Sequence, residues 1–230
     1  MIDTHNHILP GVDDGVKRVK DSLTILKAYE AMGIKAVVLT PHYAPKRGYY
    51  KSQSELNTIF LKLKEAAKNA SIDVALFLGS EIDYSPTIID DIRLAPSMND
   101  SNIYLIDFGV GDPDIEEVIY ELSIRDCKVI VAHPERYRNI TLTQWKKIRQ
   151  LGGVLQVSAK HLVKGGNKTS QKWAKTFLKE DMIDLIASDL HSQKDVQSME
   201  KAYKYVMKKK PNQAEMLFNI APKKVIYGAL

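Results

Sequence analysis

The chain has 230 residues, of which 44% are hydrophobic and 27% charged, the composition of an ordinary globular protein, and its length suits one α/β domain over residues 1–230. No apolar run approaches the roughly 20 residues that span a bilayer and the first residues lack a signal-peptide pattern, so we expect a cytoplasmic protein without membrane insertion. The net charge of +5 comes from basic residues spread along the chain without interleaved aromatics, which argues against nucleic-acid binding and suits a phosphate-bearing substrate.

The first predicted strand ends in two histidines, His5 and His7. Because strand side chains alternate with a period of two, both imidazoles would point to the same face and could share a cation. A helix is predicted from about Lys20 to Met32, where apolar residues recur at helical spacing before Gly33.

Further apolar runs predict six more strands, and helical patterns separate them. The seven predicted strands cover about residues 1–7, 34–40, 73–79, 103–108, 128–132, 154–157 and 183–187. A helix should begin at the capping box of Ser52 and Glu55, another at Asp112-Pro113, and a third should cover about Thr143 to Leu151. Two more helices, punctuated by Pro211 and Pro222, are predicted at the carboxyl end.

Each predicted strand ends near a side chain that can ligate a metal. Consecutive βα units predict a parallel sheet that can close into a barrel, whose strand ends converge on one mouth. For the sixth strand the nearby residues are Ser158 and His161, and His161 either lines the site or is an ordinary loop histidine. The side chains expected to meet at the mouth are His5, His7, Asp14, His42, Glu81, Asp107, His133, Asp189 and His191.

These five imidazoles and four carboxylates are too many for one ion and lack the thiolates of a structural zinc site. They suit two or three ions, and mixed nitrogen and oxygen ligation fits manganese, iron or zinc without choosing among them. Clustered ions of this kind support phosphoester hydrolysis. The single cysteine, Cys127, precedes an apolar run, which predicts a packed residue and argues against a thiol nucleophile.

Six motifs, in this order, resemble the polymerase and histidinol phosphatase (PHP) family, and within it the bacterial tyrosine-protein phosphatases of capsular and exopolysaccharide gene clusters. They are His5-x-His7, Val12-Asp13-Asp14-Gly15, Thr40-Pro41-His42, Gly79-Ser80-Glu81, His133-Pro134-Glu135-Arg136-Tyr137 and Ala187-Ser188-Asp189-Leu190-His191. The resemblance covers essentially the whole chain. It implies a distorted (β/α)7 barrel with a manganese-favouring site, and dephosphorylation of the tyrosine-rich tail of a partner kinase that controls polysaccharide assembly.

The resemblance also implies how three ions are shared among the ligands. His5, His7, Glu81 and Asp189 would hold the first ion, Glu81, Asp107 and His133 the second, and Asp14, His42 and His191 the third. Arg136 would neutralise charge on the phosphoryl oxygens during in-line attack by a hydroxide that the ions generate. His42 or His191 could donate a proton to the leaving phenolate.

Two positions depart from the family pattern. Asp107 stands where glutamate is usual, which predicts a weaker hold on the second ion unless the strand sits closer to it. After His191, where relatives often have an arginine that binds phosphate, only Lys194 is near in the sequence. Lysine offers a point charge in place of a bidentate fork.

Three alternatives stay open on the sequence alone. A phosphatase for a small molecule such as histidinol phosphate would use the same ions with a different pocket. A catalytically weak, metal-bound regulator that binds phosphotyrosine is favoured by the two departures. A metal-dependent amidohydrolase also begins with His-x-His on a barrel, but seven βα units and the terminal Asp-x-His fit it poorly. The chain could also form a homo-oligomer.

Overall fold

The structure, a computed structural model, describes residues 1–109, 114–163 and 165–230. Short strands alternate with helices within these ranges. The strands are β1 (Ile2–Asp3), β2 (Ala36–Leu39), β3 (His42–Tyr43), β4 (Ala75–Leu78), β5 (Glu81–Asp83), β6 (Ile103–Asp107), β7 (Lys128–Ala132), β8 (Val154–Ser158) and β9 (Leu185–Ala187). The helices are α1 (Val19–Ala31), α2 (Gln53–Asn69), α3 (Ile88–Asp91), α4 (Ile115–Ile124), α5 (Leu142–Gln150), α6 (Ala159–Leu162), α7 (Lys168–Lys179), α8 (Ser198–Lys209), α9 (Pro211–Glu215) and α10 (Ala221–Ile226).

Neighbouring strands pair in parallel in two sheets, with the orders β1-β2-β4 and β3-β5-β6-β7-β8-β9. The second and third predicted strands are observed as β2 and β4, and each is followed by a further short strand, β3 or β5, that the sequence did not predict. Between β2 and β3 the chain passes through Pro41, which has no backbone N–H to donate to a ladder. Between β4 and β5 lies Gly79, where a Cβ would come within 2.9 Å of the Met98 sulfur. Both continuations, β3 and β5, carry predicted ligands.

The first and last strands are joined beyond their regular ends. The His7 N–H donates to the Leu190 carbonyl and the Asp189 N–H donates to the His5 carbonyl, both at 2.8 Å. The buried Asp3 carboxylate accepts from the Ser188 N–H at 2.8 Å and from its hydroxyl at 2.7 Å. The predicted α/β fold of parallel strands is therefore confirmed, and these bonds join the segment that follows β1 to the segment that follows β9.

The helix ends follow the capping chemistry of the sequence. Ser52 and Glu55 form the predicted capping box at the start of α2. The predicted start at Asp112-Pro113 lies outside the described residues, and α4 begins at Ile115 with the Asp114 side chain accepting from the Glu117 N–H. Pro211 opens α9 and Pro222 stands in the first turn of α10, as predicted.

The apolar core fills the space between the strands and the surrounding helices. Trp145, Tyr29, Phe177 and Phe218 are its largest fully buried side chains. Cys127 is buried at the start of β7, as predicted, and burial raises the pKa of its thiol. No helix in the described ranges combines the length and apolar character needed to cross a membrane.

Candidate metal centre

The nine side chains expected at the mouth lie close together there, eight of them in three groups and Asp189 beside these groups, with its Oδ1 3.8 Å from His5 Nε2. Three groups have potential ligand atoms within 4.8 Å of one another. The groups are His5, His7 and Glu81; then Glu81, Asp107 and His133; and then His7, Asp14, His42 and His191. Glu81 belongs to two groups and so does His7, so the three form one continuous cluster.

Glu81 lies at the centre of this cluster, with its two oxygens facing different imidazoles. Oε1 lies 2.8 Å from His133 Nε2 and 3.3 Å from His5 Nε2. Oε2 lies 3.0 Å from His42 Nδ1 and 3.3 Å from His7 Nε2. A carboxylate with an oxygen on each side can bridge two cations.

Several of these atoms are buried without a hydrogen bond. His5 Nε2, His7 Nε2, His42 Nδ1 and Glu81 Oε2 have no hydrogen-bond partner in the structure. An unsatisfied buried polar atom costs about 1–3 kcal/mol, and four of them facing one space are costly to fold without a ligand. Imidazole nitrogens and carboxylate oxygens are donors that manganese, iron and zinc accept, so the residues fit a cluster of divalent ions.

Two polar side chains hold the first histidines in place. His5 Nδ1 lies 2.8 Å from Gln156 Oε1, and Gln156 in turn donates to the Thr4 hydroxyl at 3.0 Å. His7 Nδ1 lies 2.7 Å from Asp13 Oδ2. Partners of this kind fix the ring orientation and turn the other nitrogen toward a metal.

The sequence alone predicted neither the contact of Gln156 with His5 nor that of Asp13 with His7. Gln156 is the one polar side chain within the otherwise apolar stretch Val154–Val157, which is a signal that it faces inward for a reason. Asp13 stands in a quoted motif, but its contact with His7 was not predicted. Gly15, in the same motif, passes so close to His7 that a Cβ at position 15 would lie 2.3 Å from the His7 carbonyl oxygen, which leaves no room for a side chain.

Asp107 reaches the cluster despite its shorter arm. Its Oδ1 accepts from the Gly109 N–H at 2.8 Å and from the Tyr137 hydroxyl at 3.1 Å. This leaves Oδ2 facing the cluster, 3.7 Å from His133 Nε2. The carboxylate is thus held by one oxygen and offers the other.

The outer group is more open than the two inner ones. Asp14 exposes 41% of its side chain and His191 32%, whereas Glu81 exposes 2%. His42 Nε2 and His191 Nε2 lie 3.4 and 3.5 Å from the same oxygen of Asp14. An ion in this group would stand at the mouth, where a substrate can reach it.

The electrostatics of the cluster favour positive charge between its carboxylates. Burial alone would raise the pKa of Glu81, but the charge of His5 and the hydrogen bond with His133 hold that pKa well below its usual value. For His7, burial lowers the pKa, yet the hydrogen bond with Asp13 and the negative charges of Asp13 and Glu81 outweigh it and raise the pKa to about 10. Either protons on the imidazoles or metal cations between the side chains would neutralise these carboxylates.

Arg136 lies at the edge of the cluster against Asp189. Its guanidinium donates to Asp189 Oδ2, and 35% of the Arg136 side chain is exposed. Asp189 Oδ1 faces the histidines instead, 3.8 Å from His5 Nε2 and 3.5 Å from His191 Nδ1. Arg136 is therefore next to the predicted ligands and open to solvent.

His161, for which the sequence left open a place in the site or an ordinary loop position, lies outside the three groups of potential ligands. His161 is buried and its Nδ1 pairs with Glu135 Oε1 at 2.6 Å, away from the three groups of ligands. It sits in α6, where the chain turns at once into a helix after β8, and Glu135 reaches it there. The sixth strand supports the site through Gln156 and through Ser158, whose hydroxyl donates to Asp189 Oδ2 at 3.3 Å.

Comparisons with known proteins agree with this centre. Residues 1–227 match the family described as "Capsular polysaccharide synthesis, CpsB/CapC". The chain is 29% identical over 245 residues to tyrosine-protein phosphatase CpsB of Streptococcus pneumoniae, with all of both chains covered. It is 27% identical over 201 residues to tyrosine-protein phosphatase YwqE of Bacillus subtilis. The matched region covers 84% of this chain and 78% of YwqE.

A solved structure is similar over the whole chain. It is one of a set of crystal structures of YwqE from Bacillus subtilis and CpsB from Streptococcus pneumoniae, two proteins described as unique metal-dependent tyrosine phosphatases. The TM-score is 0.91 at 24% identity, with 100% of this chain and 96% of the other covered. The likeness shows that the two chains share the fold.

Proposed function

Because the chain belongs to the CpsB/CapC family of capsular polysaccharide synthesis proteins, we propose that it is a metal-dependent protein-tyrosine phosphatase. The observation that carries the proposal is the position of Glu81, whose two buried oxygens each face two imidazoles at 2.8 to 3.3 Å. The relatives named tyrosine-protein phosphatases support the reaction.

The nine side chains of the cluster are the proposed metal ligands. His5, His7, Glu81 and Asp189 hold a first ion, Glu81, Asp107 and His133 a second, and Asp14, His42 and His191 a third. Divalent ions held there would supply a hydroxide nucleophile at neutral pH and neutralise charge on the phosphoryl group. Manganese is the proposed ion because the resemblance to the PHP family implies it; the donor set itself also fits iron and zinc.

Arg136 is the proposed phosphate anchor of this chain. A guanidinium can form two parallel hydrogen bonds to phosphate oxygens, and each is charge-assisted. Its partly exposed side chain reaches the mouth next to Asp189. There it would hold the phosphate against the ligand cluster and offset the charge of its equatorial oxygens.

His42 and His191 serve the leaving phenolate in one of two ways, by holding an ion or by donating a proton. The two roles exclude each other at the same ring nitrogen, because a nitrogen that ligates a cation carries no proton. Both nitrogens of His191 lie near oxygens of predicted ligands, with Nε2 3.5 Å from Asp14 and Nδ1 3.5 Å from Asp189. This geometry favours the ligand role.

The substrate in the cell is proposed to be the phosphorylated tyrosine-rich tail of a bacterial tyrosine kinase, and the outcome to be control of capsule or exopolysaccharide synthesis. The name of the matching family supports this setting. A cytoplasmic location is proposed with it, since a protein with one cysteine does not depend on an internal disulfide. Residues 1–230 are proposed to act as a single metallophosphatase domain.

A comparison of substrates tests the proposal. The manganese-loaded protein is given a phosphotyrosine peptide, the same peptide with phosphoserine, and histidinol phosphate. We expect the phosphotyrosine peptide to give the highest kcat/KM. Preference for histidinol phosphate would assign a small-molecule phosphatase instead, and binding of the peptide without turnover would assign a phosphotyrosine-binding regulator.

A further inference from the structure

Asp189 divides its two oxygens between different neighbours. Oδ1 faces the imidazoles of the cluster. Oδ2 faces away from them and receives the Arg136 guanidinium, the Lys160 ammonium at 3.1 Å and the Ser158 hydroxyl at 3.3 Å. Two cations thus share one carboxylate oxygen at the edge of the cluster.

Lys160 and Arg136 lie at a surface that a substrate can approach. The Lys160 side chain is 22% exposed and that of Arg136 is 35% exposed, whereas Asp189 between them is buried. Lys160 stands in α6, directly after β8, so its backbone is fixed to the end of a strand. After His191 the chain continues with Ser192-Gln193-Lys194, so the only basic side chain close behind it in the sequence is a lysine.

A buried hydrogen bond between two side chains fixes the two backbones that carry these cations. Glu135, which precedes Arg136, pairs through Oε1 with His161 Nδ1 at 2.6 Å, and His161 follows Lys160. The same Glu135 oxygen accepts from the Ser158 N–H at 3.0 Å. The position of Lys160 relative to Arg136 is therefore set before a substrate binds, which lowers the entropy lost on binding.

The charges of the cluster leave both cations available. The two or three divalent ions expected in the cluster would carry at least as much positive charge as its four carboxylates carry negative charge, so Asp189 would not need Arg136 or Lys160 for neutralisation. A phosphate monoester carries close to two negative charges at neutral pH. Arg136 and Lys160 together match that charge next to the ligand cluster.

We propose that Lys160 is a second phosphate-binding residue, which pairs with Arg136. This inference rests on the proposed phosphatase function. Lys160 would contact the phosphoryl oxygens of the bound substrate and of the product phosphate. As a point charge on a flexible stem, it complements the fixed fork of Arg136.

The test measures the binding of inorganic phosphate by calorimetry on the manganese-loaded protein, together with kcat/KM for an aryl phosphate. Lys160→Met keeps the length of the side chain and removes its charge. We expect the phosphate Kd to rise, and kcat/KM to fall, roughly ten- to a hundredfold, the range for a hydrogen bond between charged groups. Lys160→Arg should recover most of the loss, and the manganese content should equal that of the wild type.

Lys201→Met is the matched control, because Lys201 lines the same surface pocket as Lys160 but stands on α8. Lys201→Met should leave phosphate binding unchanged. An equal loss of phosphate binding in Lys201→Met would show that the effect of Lys160→Met comes only from the lower positive charge of the protein. Phosphate binding that depends on Lys194 and not on Lys160 would overturn the proposal. So would a Lys160→Met protein with altered manganese content and wild-type phosphate binding, since Lys160 would then serve Asp189 alone. If the wild type binds phosphate through Lys160 without turning over substrate, the phosphatase function fails and this inference stands.

Discussion

His7 and Asp13 form a buried pair in which His7 Nδ1 lies 2.7 Å from Asp13 Oδ2. The same Asp13 oxygen accepts from the His42 N–H at 3.0 Å, and its other oxygen accepts from the Gly15 N–H at 2.9 Å. Asp13 thus fixes two of the predicted ligands while its own carboxylate stays out of the ligand groups. The carboxylate also makes His7 a more basic ligand.

Asp13→Asn should weaken metal binding without removing a ligand. The amide keeps the size of the side chain but loses the negative charge that supports His7, and loss of such a partner commonly lowers metal affinity about 10- to 100-fold. Manganese titration followed by calorimetry and by activity measures the change. Asp21→Asn, at an exposed carboxylate that pairs with Arg18, is the control and should match the wild type. Wild-type affinity in Asp13→Asn would show that the contact only supports the fold.

Asp107→Glu should lower the free manganese needed for half-maximal activity. One oxygen of Asp107 faces the cluster, 3.7 Å from His133 Nε2, and the other accepts hydrogen bonds from the Tyr137 hydroxyl and the Gly109 N–H. The extra methylene of glutamate would bring the free oxygen closer to the second ion. Tyr137→Phe should shift the requirement in the opposite direction, because it removes a bond that orients the carboxylate. Full and tight occupancy of every site in the wild type would show that the shorter residue is harmless.

Arg136→Ala should lower kcat/KM roughly ten- to a hundredfold or more, since charge-assisted hydrogen bonds contribute about 1.5–3 kcal/mol each and about 1.4 kcal/mol corresponds to a factor of ten. Arg136→Lys should recover only part of this loss, because a point charge does not reproduce the fork. Manganese content should stay at the wild-type level. Arg138→Ala, at an exposed arginine two residues further on, is the control. Wild-type kinetics in Arg136→Ala would assign phosphate binding to the ions or to lysine.

His191→Gln should raise the manganese requirement and leave the leaving-group dependence unchanged at saturating manganese. A ring nitrogen of His191 lies within 4.8 Å of potential ligand atoms of His7, Asp14 and His42, which supports a role in holding the outer ion. A series of aryl phosphates whose phenols differ in pKa measures that dependence. If the variant becomes more sensitive to the phenol pKa, His191 donates the proton and the ligand assignment is wrong.

Much of the fold could be predicted because its signals are local. The apolar run before His42 and the capping box of Ser52 and Glu55 depend on residues close in sequence. The order of βα units then brings strand ends together, which is why His5 and His191 could be expected to meet. The short strands β3 and β5, beyond Pro41 and Gly79, were not predicted, because they depend on pairing with each other and with β6.

The supporting residues of the site could not be predicted in the same way. The contact between His5 and Gln156 joins positions 151 residues apart, and no spacing rule reports it. Lys160 was passed over because the short helix α6 was not recognised, so its direction toward Asp189 was unknown. The role of His161 could not be predicted either. It follows a predicted strand, as the ligand histidines do, but its side chain pairs with Glu135.

The measurement that tests the account most directly is hydrolysis of a phosphotyrosine peptide by protein stripped of metal with a chelator and then resupplied with manganese. We expect the stripped protein to be inactive, manganese to restore turnover, and Cys127→Ser to behave as the wild type because Cys127 is buried. Glu81→Gln should stay inactive and bind less manganese, since Glu81 is shared by two groups of predicted ligands. Turnover by the metal-free protein, or loss of activity in a folded Cys127→Ser protein, would contradict a metal-dependent phosphatase.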